Sequence, residues 1–472
     1  MRVLILSAKT GGGHMRAAEA LKEVIKTSDS DTEVKIVDGL AYVSRSFNKF
    51  VVDAYKYSAT KTPAVYGMFY RLSNKDNPSY KIVQKINGKF AKRFLSLLSS
   101  FRPDVVVTTH PFPSIMLSRL REKGLTNIPI ISIITDFAPH KAYLNPCISH
   151  YIVSSEQMVD ELVKLGVDRS IIHPVGIPID PIFYKLDENK EKSMLKLGFD
   201  PKMKTVLIMA GSFGVTDILK IYENINEIDL DFQIIVITGR NKKLFDEFNS
   251  ILSVNENMRV GEPEPNFDDE KEVTRRQTKI NVTKPTKLIY FTDEVYRYMH
   301  ISDLIITKPG GLTVSEALAS CLPMAIFKAI PGQETDNSEY LCNNNLAIEI
   351  KKSTAADTVY QLLKYPERLL SMRESCSRLN NRNSALKVYE VIKEAAAEMN
   401  GSDVVNADPD TLDLSSFEFP YRDLAALDGT DFDENSYNKF RLIFDKYKDQ
   451  MVIEDEDEYA FADDDDFEKY AP

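Results

Sequence analysis

Short β-branched runs alternate with stretches of helical periodicity through the first 180 residues. The runs at Val3–Ser7, Val34–Asp38, Val105–Thr109, Ile130–Thr135 and Tyr151–Ser154 are nearly continuous in apolar residues. They read as parallel strands buried on both faces, each followed by a loop and an amphipathic helix. The rhythm restarts at Thr205–Ala210 and continues through Ile234–Thr238, Lys287–Phe291, Leu304–Thr307 and Met324–Phe327. Two doubly wound α/β domains are therefore expected, with a ligand cleft between them.

The pattern also sets boundaries: a first domain over 1–175, a linker over 176–200, a second domain over 201–380, and a helix over 381–399. Pro174 just before it, and Pro178, Asp180 and Pro181 within it, punctuate the linker. Residues 254–286 are polar and charged, with too few apolar positions to pack, and read as an exposed insertion. Residues 400–472 form an acidic tail expected to be disordered, apart from a short helix over 438–447 able to form on a partner.

Composition narrows the class. Four cysteines stand far apart without a CxxC pair, so neither a disulfide framework nor a metal site is expected. No apolar run reaches the roughly 18 residues of a membrane span. Met1 leads straight into a strand, so no leader is expected and the chain should stay in the cytoplasm.

Chemistry concentrates at two glycine-rich strand-to-helix switches. After the first strand come Gly11, Gly12 and Gly13, then His14 at the helix start. Glycines there leave backbone N–H groups open to an anion at the positive end of the helix, and His14 can act as a general base. Neither GxGxxG nor GK[ST] is present. In the second domain a strand runs into Pro309, Gly310 and Gly311, with a helix expected from about Thr313. Glu316 fits two readings: an acceptor for ribose hydroxyls, or the acidic half of a T-x-x-E capping box with Thr313. Gln333, Glu334 and Asn337 supply amide and carboxylate groups of the kind that read sugar hydroxyls.

Taken in order, these residues resemble the family-28 glycosyltransferases, in the diacylglycerol-directed branch that holds plant monogalactosyldiacylglycerol synthases and bacterial processive diacylglycerol glucosyltransferases. The matching positions are Gly11 to His14, Thr135-Asp136-Phe137 with His140, Gly239 to Lys243, Thr307 to Thr313, Glu316-Ala317-Leu318, Pro323-Met324, and Pro331 to Glu334 with Asn337. The resemblance spans about residues 1 to 395. It implies a GT-B fold, an acceptor-binding first half, a second half binding a UDP-hexose, and no cofactor or metal. By the same resemblance Gly12, Gly13, Arg240, Lys308 and Thr313 line the donor site. Uracil falls near Phe291, ribose on Glu316, phosphates on Ser212 and Gly310-Gly311, and sugar hydroxyls on Gln333 and Glu334. His14 or Asp136 is the expected base. Tyr143 stands where relatives commonly carry Trp.

The charge distribution changes the picture of the partner. The formal net charge is −11, which on average argues against an anionic surface. Residues 401–472, however, hold 22 acidic against 6 basic side chains, leaving residues 1–400 at +5. Residues 45–102 alone hold 12 basic against 2 acidic side chains, interleaved with aromatics. Phe50, Lys56, Tyr57, Tyr66, Phe69, Tyr70, Lys85 and Lys89 are the expected contacts with an anionic membrane carrying a diacylglycerol acceptor. No nucleic-acid motif accompanies the patch. The expectation is a peripheral enzyme at the inner face of the cell membrane. Its rivals are a UDP-N-acetylglucosamine transferase acting on a polyprenyl-linked acceptor, a nucleotide-sugar epimerase, and a non-catalytic UDP-sugar-binding scaffold.

Overall fold

The computed structural model describes all residues except 10–11, 59–71, 73–74, 140, 187, 210–216, 262–279, 328–332, 352, 380–381, 400–406, 415–416, 418–433 and 454–472. The side chains of 55–58, 141, 217, 333, 434–437 and 453 also lie outside the description. The chain divides into two compact units, one of Met1–Asp38 with Phe101–Val405, the other of Gly39–Ser100 with Asn406–Pro472.

The first unit contains two six-stranded, wholly parallel sheets. One is built from β1 (Arg2–Ser7), β2 (Glu33–Asp38), β3 (Val105–Thr108), β4 (Ile130–Ile133), β5 (His150–Ile152) and β6 (Ile172–His173), in the order β2-β1-β3-β4-β5-β6. The other comprises β7 (Lys204–Met209), β8 (Phe232–Ile237), β9 (Thr286–Ile289), β10 (Leu304–Thr307), β11 (Met324–Phe327) and β12 (Ala347–Ile350), ordered β12-β11-β10-β7-β8-β9. Val, Ile and Leu fill the strands because helices cover both faces, and Val3 to Leu6 and Val105 to Val107 are fully buried. All ten expected strands form. β6 and β12 are additions: β6 is two residues long, and the AIEI of β12 carries a charge at a sheet edge, so neither gives a long apolar run.

In each sheet the strand order reverses once, between β1 and β3 in the first and between β7 and β10 in the second. Loops leaving the carboxyl ends of such neighbouring strands splay apart and open a crevice. Helix α1 (Gly13–Ser28) leaves β1, and α4 (Pro111–Glu122) follows β3. In the second sheet α5 (Gly311–Ala319) leaves β10 and α6 (Gln333–Asn343) follows β11. Helix α7 (Ser384–Glu398) returns to the first sheet: Val388, Ile392 and Ala395 are buried in one cluster with Val3, Ile5 and Leu21.

The polar 254–286 stretch is only partly as expected. Ile280 and Val282 are buried in the core beside β8, so its C-terminal end packs, while residues 262–279 lie outside the described residues.

In the second unit, α2 (Arg45–Ser58) and α3 (Tyr80–Phe101) bring Phe47 and Phe90 together at 4.8 Å between ring centroids. The helix expected at 438–447 extends further as α8 (Glu434–Ile453), and its partner is α2 of the same chain. Phe440, Phe444, Tyr447 and Met451 recur at helical spacing and are buried. Phe444 meets Phe50 edge-on at 6.0 Å, and the Tyr447 hydroxyl donates to Asp53 at 2.8 Å. The acidic tail is thus not disordered along its whole length.

Candidate functional site

The first switch point gathers one chemical group from each side of the strand reversal. Gly12 caps α1 with φ of 80°, a left-handed conformation that glycine adopts without strain. That turn sets His14 at the helix start, where its Nδ1 donates to the carbonyl oxygen of Thr109, just past β3, at 2.7 Å. A carbonyl only accepts, so Nδ1 carries the proton and the lone pair is left on Nε2. Thr135 Oγ1 stands 3.0 Å from the same Nδ1. Tyr143 completes the set, its hydroxyl donating to the Thr109 carbonyl at 3.2 Å. A Trp at this position has no oxygen to offer.

Burial pushes the His14 pKa down to about 4, with the Thr109 hydrogen bond opposing. The ring is therefore neutral near pH 7, as a base must be. His110, not anticipated from the sequence, packs edge-on against His14 at 4.9 Å. Its Nδ1 accepts from the Phe112 N–H at 3.2 Å and caps α4. Burial holds His110 neutral as well, and protonation of His14 would push its pKa the same way. The capping pattern His-Pro at 110–111 was its sequence signal.

The second switch point begins α5 two residues earlier than expected, at Gly311 with Gly310 as cap. This overturns the capping-box reading: Thr313 and Glu316 both sit inside the helix, and no described side chain caps it. Glu316 is 2% exposed, yet its Oε1 lies 2.8 Å from Nη2 of Arg16 on α1. Its Oε2 has no hydrogen-bond partner among the described residues. Burial raises the Glu316 pKa to about 7 against the pull of Arg16, with Asp180 adding to the rise.

The two sheets' loops touch here. A Cβ placed on Gly13 would lie 3.7 Å from Leu312 Cβ, an ordinary contact. Asn337 was expected to read sugar hydroxyls, but it is buried and committed elsewhere. Its Oδ1 accepts from the Phe137 N–H at 2.8 Å, and its Nδ2 donates to Asp136 Oδ1 at 3.2 Å and to the Pro309 carbonyl at 2.9 Å. The side chain ties the Asp136 loop to the start of α5. Asp136, the other expected base, is buried and takes one of these bonds.

The remaining expected residues divide. Arg240 lies over the exposed Phe291 ring at 4.8 Å, leaving an aromatic edge at the end of β9. Lys308 pairs with Glu334 at 3.7 Å. Gly11, His140 and Ser212 lie outside the described residues, as does the side chain of Gln333.

Of the expected membrane contacts, Phe50 is corrected: it is fully buried, because the Phe444 ring of α8 covers it. Lys85 is exposed and Lys89 half-buried on α3. Tyr66, Phe69 and Tyr70, with the side chains of Lys56 and Tyr57, lie outside the described residues.

Residues 14–179 match the monogalactosyldiacylglycerol (MGDG) synthase family, and residues 205–395 match the glycosyltransferase family 28 C-terminal domain. The chain belongs to the family 28 glycosyltransferases. A processive diacylglycerol beta-glucosyltransferase of Bacillus pumilus is 29% identical to it over 403 residues, covering 83% of this chain and 94% of that one. The enzyme of the same description from Bacillus subtilis is 26% identical over 407 residues, covering 84% and 95%. Among solved structures, MurG of Acinetobacter baumannii aligns with a TM-score of 0.51 at 14% identity, over 83% of this chain and 99% of that one. The MnaA–UDP structure from S. aureus aligns at 0.50 and 12%, over 83% and 96%. The glycosyltransferase thus has the GT-B fold, with His14 and Glu316 each at a switch point of one of its two sheets. Among its described residues no helix is long and apolar enough to cross a membrane.

Proposed function

We propose that the enzyme transfers a hexose from a UDP-sugar to the 3-hydroxyl of diacylglycerol, with inversion and without a metal, at an anionic membrane surface. The observation that carries this reading is the pinned tautomer of His14. With Nδ1 donating to Thr109, Nε2 is free to take the proton of the acceptor hydroxyl as its oxygen attacks the anomeric carbon. The bond to the UDP oxygen breaks on the opposite face of that carbon. A diphosphate beside His14 raises the imidazole pKa from its low resting value, strengthening the base in the complex.

The donor reading draws on the second switch point. The N-terminus of α5 offers N–H groups and the positive end of a helix dipole to the departing diphosphate. Glu316 Oε2, buried without a partner among the described residues, suits a ribose hydroxyl. Phe291, 44% exposed with Arg240 over its ring, offers apolar surface for a base to pack against.

The acceptor reading rests on the relatives, whose names specify diacylglycerol, and on the net +10 of residues 45–102. Each basic residue near an anionic surface contributes about 1 kcal/mol.

The test is incubation with anionic liposomes containing diacylglycerol and a panel of UDP-sugars, followed by mass identification of lipid products. Hexosyl-diacylglycerol is expected. Transfer of N-acetylhexosamine to a polyprenyl-linked acceptor instead would replace this reading.

A further inference from the structure

Arg16 lies two residues beyond His14, in the first turn of α1, on the sheet opposite the one that carries Glu316. It nevertheless makes an ion pair across the two helices, Nη2 to Oε1 at 2.8 Å. The two partners differ in their surroundings: the Arg16 side chain is 46% exposed, that of Glu316 2%. A solvated guanidinium loses little by leaving such a pair. A buried carboxylate deprived of its cation is left charged in a poor solvent, or takes up a proton.

The pair uses one carboxylate oxygen and leaves the other, Oε2, buried with no partner among the described residues. A buried acceptor in that state is unfavourable until a donor reaches it. Asp180, of the segment between the sheets, adds to burial in working against ionisation of Glu316. Among the described residues Arg16 opposes both.

We propose that Arg16 is a donor-positioning residue: from the acceptor-side domain it holds one oxygen of Glu316 and so presents the other, charged and oriented, to a ribose hydroxyl of the nucleotide. This rests on the donor reading given above and adds to it a residue from the other domain. One short segment, His14 to Arg16, then serves both substrates, the imidazole acting at the acceptor and the guanidinium acting on the donor through Glu316. Occupation of the nucleotide site and the apposition of α1 with α5 are coupled through this contact.

The experiment measures UDP binding by calorimetry and steady-state kinetics with the UDP-sugar, for wild type, Arg16→Gln, Arg16→Lys, Glu316→Gln and the double variant Arg16→Gln/Glu316→Gln. Arg16→Gln is expected to weaken UDP about tenfold at pH 7 and to raise KM for the UDP-sugar similarly, with kcat within about threefold of wild type. The pH midpoint of UDP binding moves upward, because Glu316 loses its cation. Arg16→Lys recovers part of the loss. In the Glu316→Gln background, removing Arg16 costs less than about threefold more, since the partner through which it acts is gone. An unchanged KM, or an equal loss in both backgrounds, overturns the proposal. If wild type itself fails to bind UDP, the donor reading falls, and this assignment with it.

Discussion

Gly311 sits so close beneath Thr135 that a Cβ on it would stand 1.8 Å from the Thr135 carbonyl oxygen. The obstacle is backbone, held by the strand end behind it, and cannot rotate away as a side chain would. Gly311→Ala should separate the loops that form the site and cost about 3 kcal/mol or more. The neighbouring Gly310 has open space around its Cβ position and a φ of −76°. Gly310→Ala should change stability by less than about 1 kcal/mol. Thermal unfolding of the two variants decides, and equal midpoints would contradict the close contact.

His14→Ala should lower kcat by about 10²- to 10⁴-fold, the usual range for a lost general base, while UDP affinity changes little. Single-turnover rates and calorimetry read the two effects separately. Tyr143→Phe removes one of the two hydrogen bonds donated to the Thr109 carbonyl and leaves the imidazole bond in place. A smaller loss, below about tenfold, is expected there. Activity near wild type in His14→Ala would remove the imidazole from the reaction.

Glu316 carries a folded-state pKa of about 7, raised from the 4.5 of an ordinary glutamate. A raised pKa means that the native state binds the proton more tightly than the unfolded chain. The stability linked to that proton is fully present below pH 4.5 and is lost as pH rises through 7. Glu316→Gln should therefore raise the thermal midpoint of the ligand-free protein at pH 8 and leave it nearly unchanged at pH 4.5. The gain is at most about 3 kcal/mol, since each tenfold difference in proton affinity between the folded and unfolded chain is worth about 1.4 kcal/mol. The same variant should bind UDP more weakly, so a site residue is being kept at the expense of stability. A midpoint at pH 8 no higher than wild type would argue that Glu316 is not a strained buried charge.

Asn337→Asp replaces an amide that donates to Asp136 with a carboxylate that cannot. Two buried carboxylates then face each other, and the Pro309 carbonyl loses its donor. A loss of about 3–5 kcal/mol is expected, with Asn337→Ala costing less. Urea unfolding of the two variants provides the comparison; the reverse ranking would count against the like-charge argument.

Phe444→Ala removes a fully buried ring of α8 from its place against Phe50. A cavity of that kind costs about 3–5 kcal/mol. Truncation after Met399 should expose Phe50 and reduce solubility, whereas truncation after Ile453 removes only the acidic end. Equal behaviour of the two truncations would show that α8 contributes nothing to its unit.

The sheets were legible because parallel strands covered on both faces leave unbroken Val and Ile runs, and ten of the twelve announce themselves that way. The place of His14 at the first switch point was legible because three glycines between a strand and a helix mark such a turn. The buried bonds of Asn337 to Phe137, Asp136 and Pro309 were not legible, because its type suits sugar hydroxyls and backbone groups equally and only its neighbours decide. The Arg16–Glu316 pair was invisible because the two residues are 300 positions apart and no local pattern marks either as a partner of the other. Phe50 failed for a related reason: an aromatic among lysines looks lipid-facing until a distant helix is found on top of it.

That distant helix has a consequence for how the protein comes into being. Ser46 and Gln450, hydrogen-bonded across the junction of α2 with α8, are separated by 404 residues. At the 5–20 residues per second typical of synthesis, roughly 20–80 s pass between the emergence of one partner and the other. Throughout that interval Phe50 waits without the Phe444 ring that meets it in the finished chain. Chaperone demand during translation should therefore track the unit made from both ends of the sequence, and a stalled ribosome near residue 430 should leave a product with its catalytic sheets complete and its aromatic helix bare.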